Sequence, residues 1–148
     1  MRHDRVPVAD VLGRVRDRFE TRAETTGRDV RIAGDPTAVV IADRDRLEQA
    51  VGNLVDNALV HGRGTVTLRE EVRNGSVELH VADEGPGIPE GFAERAFERF
   101  SRADEARAGG GTGLGLSIVS LIAEAHGGDA RIERREGGSD AWVSVPRE

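Results

Sequence analysis

Residues 109–116 read G-G-G-T-G-L-G-L and open directly onto Ser117-Ile118-Val119. Five of these eight residues are glycine, and the run leads into an apolar pattern of helical period, Leu116, Val119, Ile122 and Ala123, reaching His126. Glycine lets another group approach the backbone closely. A helix N-terminus adds unpaired N–H groups and the positive end of the macrodipole. Together they form a site for an anion, most often phosphate. A flexible linker is the competing reading, but linkers rarely run straight into an amphipathic helix with Leu114 and Leu116 at alternate loop positions.

Two familiar phosphate loops do not fit. Counting G-x-x-x-x-G-K-[ST] from Gly110 puts Gly115 and Ser117 in place, but Leu116 stands where the lysine would reach the terminal phosphates. The dinucleotide pattern G-x-G-x-x-G fails because Leu116 occupies the position of its third glycine, and no strand pattern leads into the run.

At 148 residues, with 37% hydrophobic and 32% charged side chains, the chain is long enough for one domain, residues 1–148, with an ordinary core. A net charge of −6 argues against a nucleic-acid partner, whose binding face would be basic. The absence of cysteine excludes disulfides and thiolate metal sites and fits a reducing compartment, so a cytoplasmic location is expected. No apolar run approaches the length of a membrane span, so direct membrane insertion is not expected.

Helical spacing of Val8, Val11, Leu12, Val15 and Phe19 predicts a first helix ending near Gly27, followed by strands at 30–33 and 39–42. Asp43 is a good N-cap for a second helix carrying Leu47, Ala50, Val51, Leu54, Val55 and Ala58 on one stripe, ending at His61-Gly62. Alternating strands at 65–73 and 76–83 meet at Asn74-Gly75, a strong hairpin signal. Pro86, Gly87 and Pro89 then break the chain, and a polar stretch leads to the glycine run. A third helix is expected over 117–126, then strands at 130–135 and 141–145 around a Gly137-Gly138 turn. Three helices and a mostly antiparallel sheet, one layer each, make an α/β two-layer sandwich.

Three constellations carry chemistry. Asn53 and Asn57 lie four apart, on one face of the second helix beside its apolar stripe. An amide oxygen is a neutral hard ligand suited to Mg²⁺, although this pair alone reads first as solvated surface amides. Asp83-Glu84-Gly85-Pro86-Gly87-Ile88 closes a strand with D-x-G-x-G. Its carboxylate can accept from an exocyclic amino group such as that of adenine, although turns at strand ends use Asp and Gly routinely. The glycine run is the third.

Their order decides. N-x3-N on a helix, D-x-G-x-G, Phe97-Glu98-Arg99-Phe100 and G-x-G-x-G opening a helix resemble the ATP-binding catalytic domain of bacterial two-component sensor histidine kinases. Residues 53–58 are similar to that family's N box, 83–88 to its G1 box, 97–100 to its F box and 111–116 to its G2 box, and the likeness spans about 6–146. The F-E-R-F segment favours histidine kinases over the chaperone, gyrase and mismatch-repair ATPases of the same superfamily.

The resemblance implies the Bergerat fold, a mixed, mostly antiparallel sheet with three helices on one face. Asn57 would be the principal Mg²⁺ ligand and Asn53 its neighbour at the triphosphate, these two forming the catalytic pair. Asp83 would bind the adenine amino group, with Gly85, Gly87 and Ile88 shaping the base pocket. Gly111, Thr112, Gly113, Leu114, Gly115 and Leu116 would cradle the phosphates. Residues of about 92–113 would form a lid that gains order on the nucleotide. The cofactors implied are ATP and Mg²⁺, with ADP as product. The implied partners are the dimerisation/phosphoacceptor domain of the same kinase and a cognate response regulator, in a protein anchored at the membrane.

Two departures from the pattern stand out. Family members often place Lys or Arg three residues after the second Asn, where this chain has Val60. His61 reads either as a phosphate neighbour or as a packed or solvated side chain, and Arg99 and Arg102 either as compensating lid cations or as solvated ones. Second, the phosphoacceptor hairpin is expected to be absent, because only two residues precede His3 and no hairpin pattern follows it. The chain thus reads as the catalytic half of a larger kinase. Competing readings are a free-standing anti-sigma-type serine kinase and a degenerate nucleotide-binding signalling module.

Overall fold

Asp43 stands in extended backbone (φ −89°, ψ 110°), and its Oδ1 accepts from the Arg46 N–H at 3.2 Å. That bond satisfies one of the donors a helix leaves unpaired at its start, and it launches helix α2, Arg44–His61. The computed structural model describes residues 1–85 and 112–148, with side chains throughout these except at 112–114. In chain order the other described elements are β1 (Asp4–Pro7), α1 (Val8–Glu24), β2 (Val30–Ile32), β3 (Val39–Ala42), β4 (Val66–Arg73), β5 (Ser76–Asp83), α3 (Thr112–Ala125), β6 (Ala130–Arg135) and β7 (Gly138–Pro146).

The main sheet runs β2-β4-β5-β7-β6, with β2 and β4 parallel and every other pairing antiparallel. Alternation along β5 puts Val77, Leu79 and Val81 into a core shared with Leu47, Leu54 and Val55 of α2 and Leu116 and Val119 of α3. This is the mixed, mostly antiparallel sheet with helices that the motifs imply. The Asn74-Gly75 hairpin forms with Arg73 opposite Ser76, and Gly75 takes the left-handed backbone (φ 89°) that such a turn requires.

Three features depart from the local pattern. Residues 4–7 form β1, which pairs antiparallel with β3 as a separate two-stranded ribbon. Val6 is the one fully buried side chain there, too little for a period-2 signal. Helix α3 begins at Thr112 instead of 117, so Gly113 and Gly115 lie inside it. Glycine costs a helix interior about 1 kcal/mol per residue, which local propensity resolves in favour of a loop. Packing of α3 on α2 outweighs that cost, with Leu116 and Val119 fully buried. Strand β7 starts at Gly138, three residues early, because its first residues pair with both β5 and β6.

His126 ties the two packed helices together. Its Nε2 accepts from the Asp43 N–H at 3.1 Å while Nδ1 donates to the Ile122 carbonyl at 2.8 Å, which fixes the neutral tautomer with its proton on Nδ1. This buried histidine is structural.

The other face of the sheet carries a buried charged network. Asp140 is only 1% exposed, receives Arg69 at 2.8 Å and lies 3.0 Å from Nδ1 of His80, with Arg135 at 3.1 Å. Burial disfavours its charge, but the hydrogen bonds from His80 and Arg69 outweigh that and hold its pKa below the ordinary value. A carboxylate depressed in the fold contributes stability that is present above its unfolded pKa, about 4, and lost as pH falls through the folded value. Below about pH 4 the wild-type chain should therefore lose stability more steeply than Asp140→Asn. Urea unfolding between pH 6 and pH 2.5, conditions chosen for the test and spanning roughly that range, measures both slopes. Equal slopes would remove Asp140 from the acid response.

Candidate nucleotide site

Asp83 is the last residue of β5 and shares the core-facing side with Leu79 and Val81. Its Oδ1 accepts from the Gly85 N–H at 2.8 Å, and its Oδ2 from the hydroxyl of Ser139 at 2.9 Å. Ser139 is its register partner on β7. Two further bonds knit the strand end to the loop after α2. Glu84 N–H donates to the Arg63 carbonyl at 2.9 Å, and the Glu84 carboxylate accepts from the Thr65 N–H at 2.8 Å.

The approach is close enough to demand glycine. A Cβ at Gly62 would lie 2.6 Å from both carboxylate oxygens of Asp83, and one at Gly85 would lie 2.8 Å from the Arg63 nitrogen. Gly62 itself has ordinary extended backbone (φ −95°, ψ −170°), so the constraint there is space and not conformation. Gly62→Ala should therefore displace Asp83, costing about 1–3 kcal/mol as overpacking and lowering nucleotide affinity. The paired control is Gly13→Ala in α1, where a Cβ meets nothing within 4 Å. That change should leave binding untouched and stabilise the helix by up to about 1 kcal/mol. Nucleotide titrations and melts of both variants distinguish the two; equal binding by Gly62→Ala would show that Asp83 has room to move.

Arg28 holds the same corner from behind. Its guanidinium donates to the carbonyls of Leu59 (2.9 Å), Ala58 (3.3 Å) and Gly64 (2.9 Å). A cation over the last carbonyls of α2 suits the negative end of the helix dipole. It also fixes where the helix delivers its final turn.

That final stretch carries the asparagine pair. Asn57 is only 6% exposed, and its Oδ1 is buried without a hydrogen-bond partner among the described residues. An orphaned buried acceptor costs about 1–3 kcal/mol and calls for a donor or a cation to complete it. Asn53, one turn earlier, donates from Nδ2 to the Gly115 carbonyl at 3.1 Å and so pins the first turns of α3 to α2. Because α3 starts at Thr112, residues 112–115 are its opening turn, whose N–H groups lack intrahelical partners. The G-x-G-x-G run therefore contributes a helix terminus more than a loop.

His61 is exposed at the end of α2, and Val60 beside it is 52% exposed and apolar, so no basic side chain stands at that position. Gly87, Ile88, Arg99, Arg102, Gly111, the 97–100 box and the expected lid up to 111 lie outside the described residues. Ser139, Gly62 and Arg28 carry no signal in the sequence that singles them out. Ser139 and Gly62 act through residues that are adjacent only in the fold, and Gly137-Gly138 reads locally as nothing but a turn.

An acceptor aspartate at a strand end, an amide-bearing helix beside it and a glycine-rich helix start belong to a nucleotide-binding α/β sandwich of the Bergerat type. Residues 42–148 match the family described as histidine kinase-, DNA gyrase B-, and HSP90-like ATPase, and the chain belongs to that family. It is similar to the sensor histidine kinase component HK1 of Mycobacterium tuberculosis, 38% identical over 84% of this chain and 75% of that one. A probable sensor histidine kinase of the same organism is 37% identical over 95% of this chain and 37% of its own length. The chain thus spans little more than a third of that longer relative. Among solved structures, the catalytic domain of the histidine kinase ThkA superposes with a TM-score of 0.86 at 30% identity, covering 99% of this chain and 97% of that one. The chain is accordingly an ATP-binding catalytic domain of the histidine kinase kind.

Proposed function

We propose that this domain binds Mg·ATP and presents the γ-phosphoryl group to a histidine on a separate dimerisation/phosphoacceptor domain, from which a response regulator is phosphorylated. Asp83 accepts from the adenine amino group, and Gly62 and Gly85 keep the wall beside it clear. Asn57 holds Mg²⁺ through its amide oxygen, Asn53 orients the triphosphate side, and the opening turn of α3, with Gly111, Gly113 and Gly115, supplies N–H groups to the phosphates. The expected lid, from about residue 92 to the start of α3 and including Arg102, closes over the nucleotide. The metal, when bound, neutralises charge on the transferring phosphoryl group. The chemistry otherwise consists of positioning, so the domain needs no nucleophile of its own.

The observation that carries this reading is the buried Oδ1 of Asn57, unpartnered among the described residues. No helix among the described residues is long and apolar enough to cross a membrane, and the domain is read as working on the cytoplasmic side of an anchored sensor.

The test is radiolabelled ATP with this chain, with and without a separately supplied hairpin domain carrying the acceptor histidine. Acid-labile, base-stable label on the hairpin alone is expected. Transfer should be slow, because covalent linkage normally supplies the effective concentration. Acid-stable phosphoserine on a partner protein would replace this reading with a serine kinase, and strong labelling of the chain by itself would overturn the assignment of the acceptor to another domain.

A further inference from the structure

On the sheet face away from Asp83, Glu71 of β4 and Glu78 of β5 stand directly opposite each other in register. Like charges in that relation destabilise a sheet, so a cation between them is favourable. Arg73 supplies part of it from the outer side, at 3.2 Å from Glu71 and 3.4 Å from Glu78. On the inner side, Nε2 of His80 lies 2.8 Å from an oxygen of each glutamate. The opposite ring nitrogen, Nδ1, faces Asp140 at 3.0 Å and the guanidinium of Arg69 at 3.2 Å, which also lies 3.8 Å from Glu71. A neutral imidazole donates from one nitrogen only. With Nδ1 turned to Asp140, Nε2 faces an oxygen of each glutamate, which sets three donor atoms around one point that a metal ion can occupy.

We infer that His80, Glu71 and Glu78 form a site for a divalent transition-metal ion of the zinc type, distinct from the nucleotide's magnesium. The donor set, one imidazole nitrogen and two carboxylate oxygens with room for water as a fourth ligand, is one that Zn²⁺ accepts. The three ligand atoms already lie within 4.8 Å of one another. Tetrahedral bonds of about 2.0–2.1 Å place ligand atoms roughly 3.3 Å apart, so each glutamate has to retreat by only about half an ångström. The histidine cannot retreat. It is 1% exposed and stacked on Trp142 with ring centroids 4.7 Å apart. The glutamates can, being 33% and 16% exposed, and they also form the entry path. Asp140 behind Nδ1 is the carboxylate–histidine–metal arrangement that orients a ligating imidazole and raises its basicity. Arg73 swings outward when the ion neutralises the two glutamates.

Titrating the nucleotide-free chain with Zn²⁺ by calorimetry should give one site. The affinity should fall as pH is lowered, since the ligands bind metal only when deprotonated. Glu71→Gln/Glu78→Gln, both at partly exposed positions, should abolish that site, and Asp140→Asn should weaken it by about 10–100-fold. ATP binding should be unchanged in the glutamate variant. Co²⁺ in place of Zn²⁺ gives a second readout on the unaltered chain, the visible absorption of a four-coordinate ion. Absence of that absorption, absence of binding heat, or Zn²⁺ binding that survives in the double variant (as it would if His3 or His61 were the ligands) each overturns the proposal and leaves His80 a hydrogen-bonding partner of the two glutamates.

Discussion

Asp83→Asn should lower the affinity for ATP by about ten- to 150-fold and erase the preference for ATP over GTP. The lost interaction is a charge-assisted hydrogen bond in a half-buried position, which contributes about 1.5–3 kcal/mol, and every 1.4 kcal/mol is tenfold in affinity. The substitution is nearly isosteric, so the clearance beside Gly62 is kept. One side-chain oxygen still accepts from the Gly85 N–H, while the new amide must turn toward Ser139, which can accept as readily as it donates. The fold is therefore preserved and the recognition is not, because the variant has lost the negative charge and one of its two acceptor oxygens. Calorimetry with ATP and GTP on both chains is the measurement, with melting temperatures confirming equal folding. Equal affinities of the wild type for the two nucleotides, or an unaltered Kd in the variant, would take Asp83 out of the base pocket.

Most of the architecture is legible in the sequence because it is locally encoded. Asp43, the α2 stripe and Asn74-Gly75 are short-range signals, and the structure places α2, β4 and β5 within a residue of the sequence reading. What the sequence hides is set by contacts between distant segments. The β1 ribbon exists because residues 4–7 find β3, and the early start of α3 reflects burial of Leu116 and Val119 overriding the glycine content. The same division runs through the site. Asn53, Asn57, Asp83 and the glycine run form spaced motifs along the chain. Gly62 and Ser139 matter only because Asp83 reaches them across the fold, and Arg28 only because the α1–β2 loop passes under the end of α2. A periodicity argument has no access to such pairs.

Asn57→Ala should abolish phosphoryl transfer to a supplied acceptor domain, to at most about 1% of the wild-type rate, the usual scale for deleting one electrostatic stabiliser of a transition state. Loss of activity alone would not separate a ligand from a packing residue, but the state of this side chain does. Its Oδ1 makes no hydrogen bond among the described residues, so truncation removes an uncompensated acceptor that costs about 1–3 kcal/mol. That gain offsets much of the small void left behind. The variant should accordingly melt close to the wild type without nucleotide. With Mg·ATP the wild type should gain the stabilisation that any ligand bound only to the folded state confers, and the variant should gain far less. With ATP and a chelator present, the two chains should again shift alike, since Asp83 and the start of α3 are intact in both. The decisive quantity is thus the metal-dependent part of the melting shift, measured beside the transfer rate. A variant that transfers normally, or that loses binding equally with and without Mg²⁺, would show that Asn57 does not hold the metal, and the buried oxygen would then require a different partner.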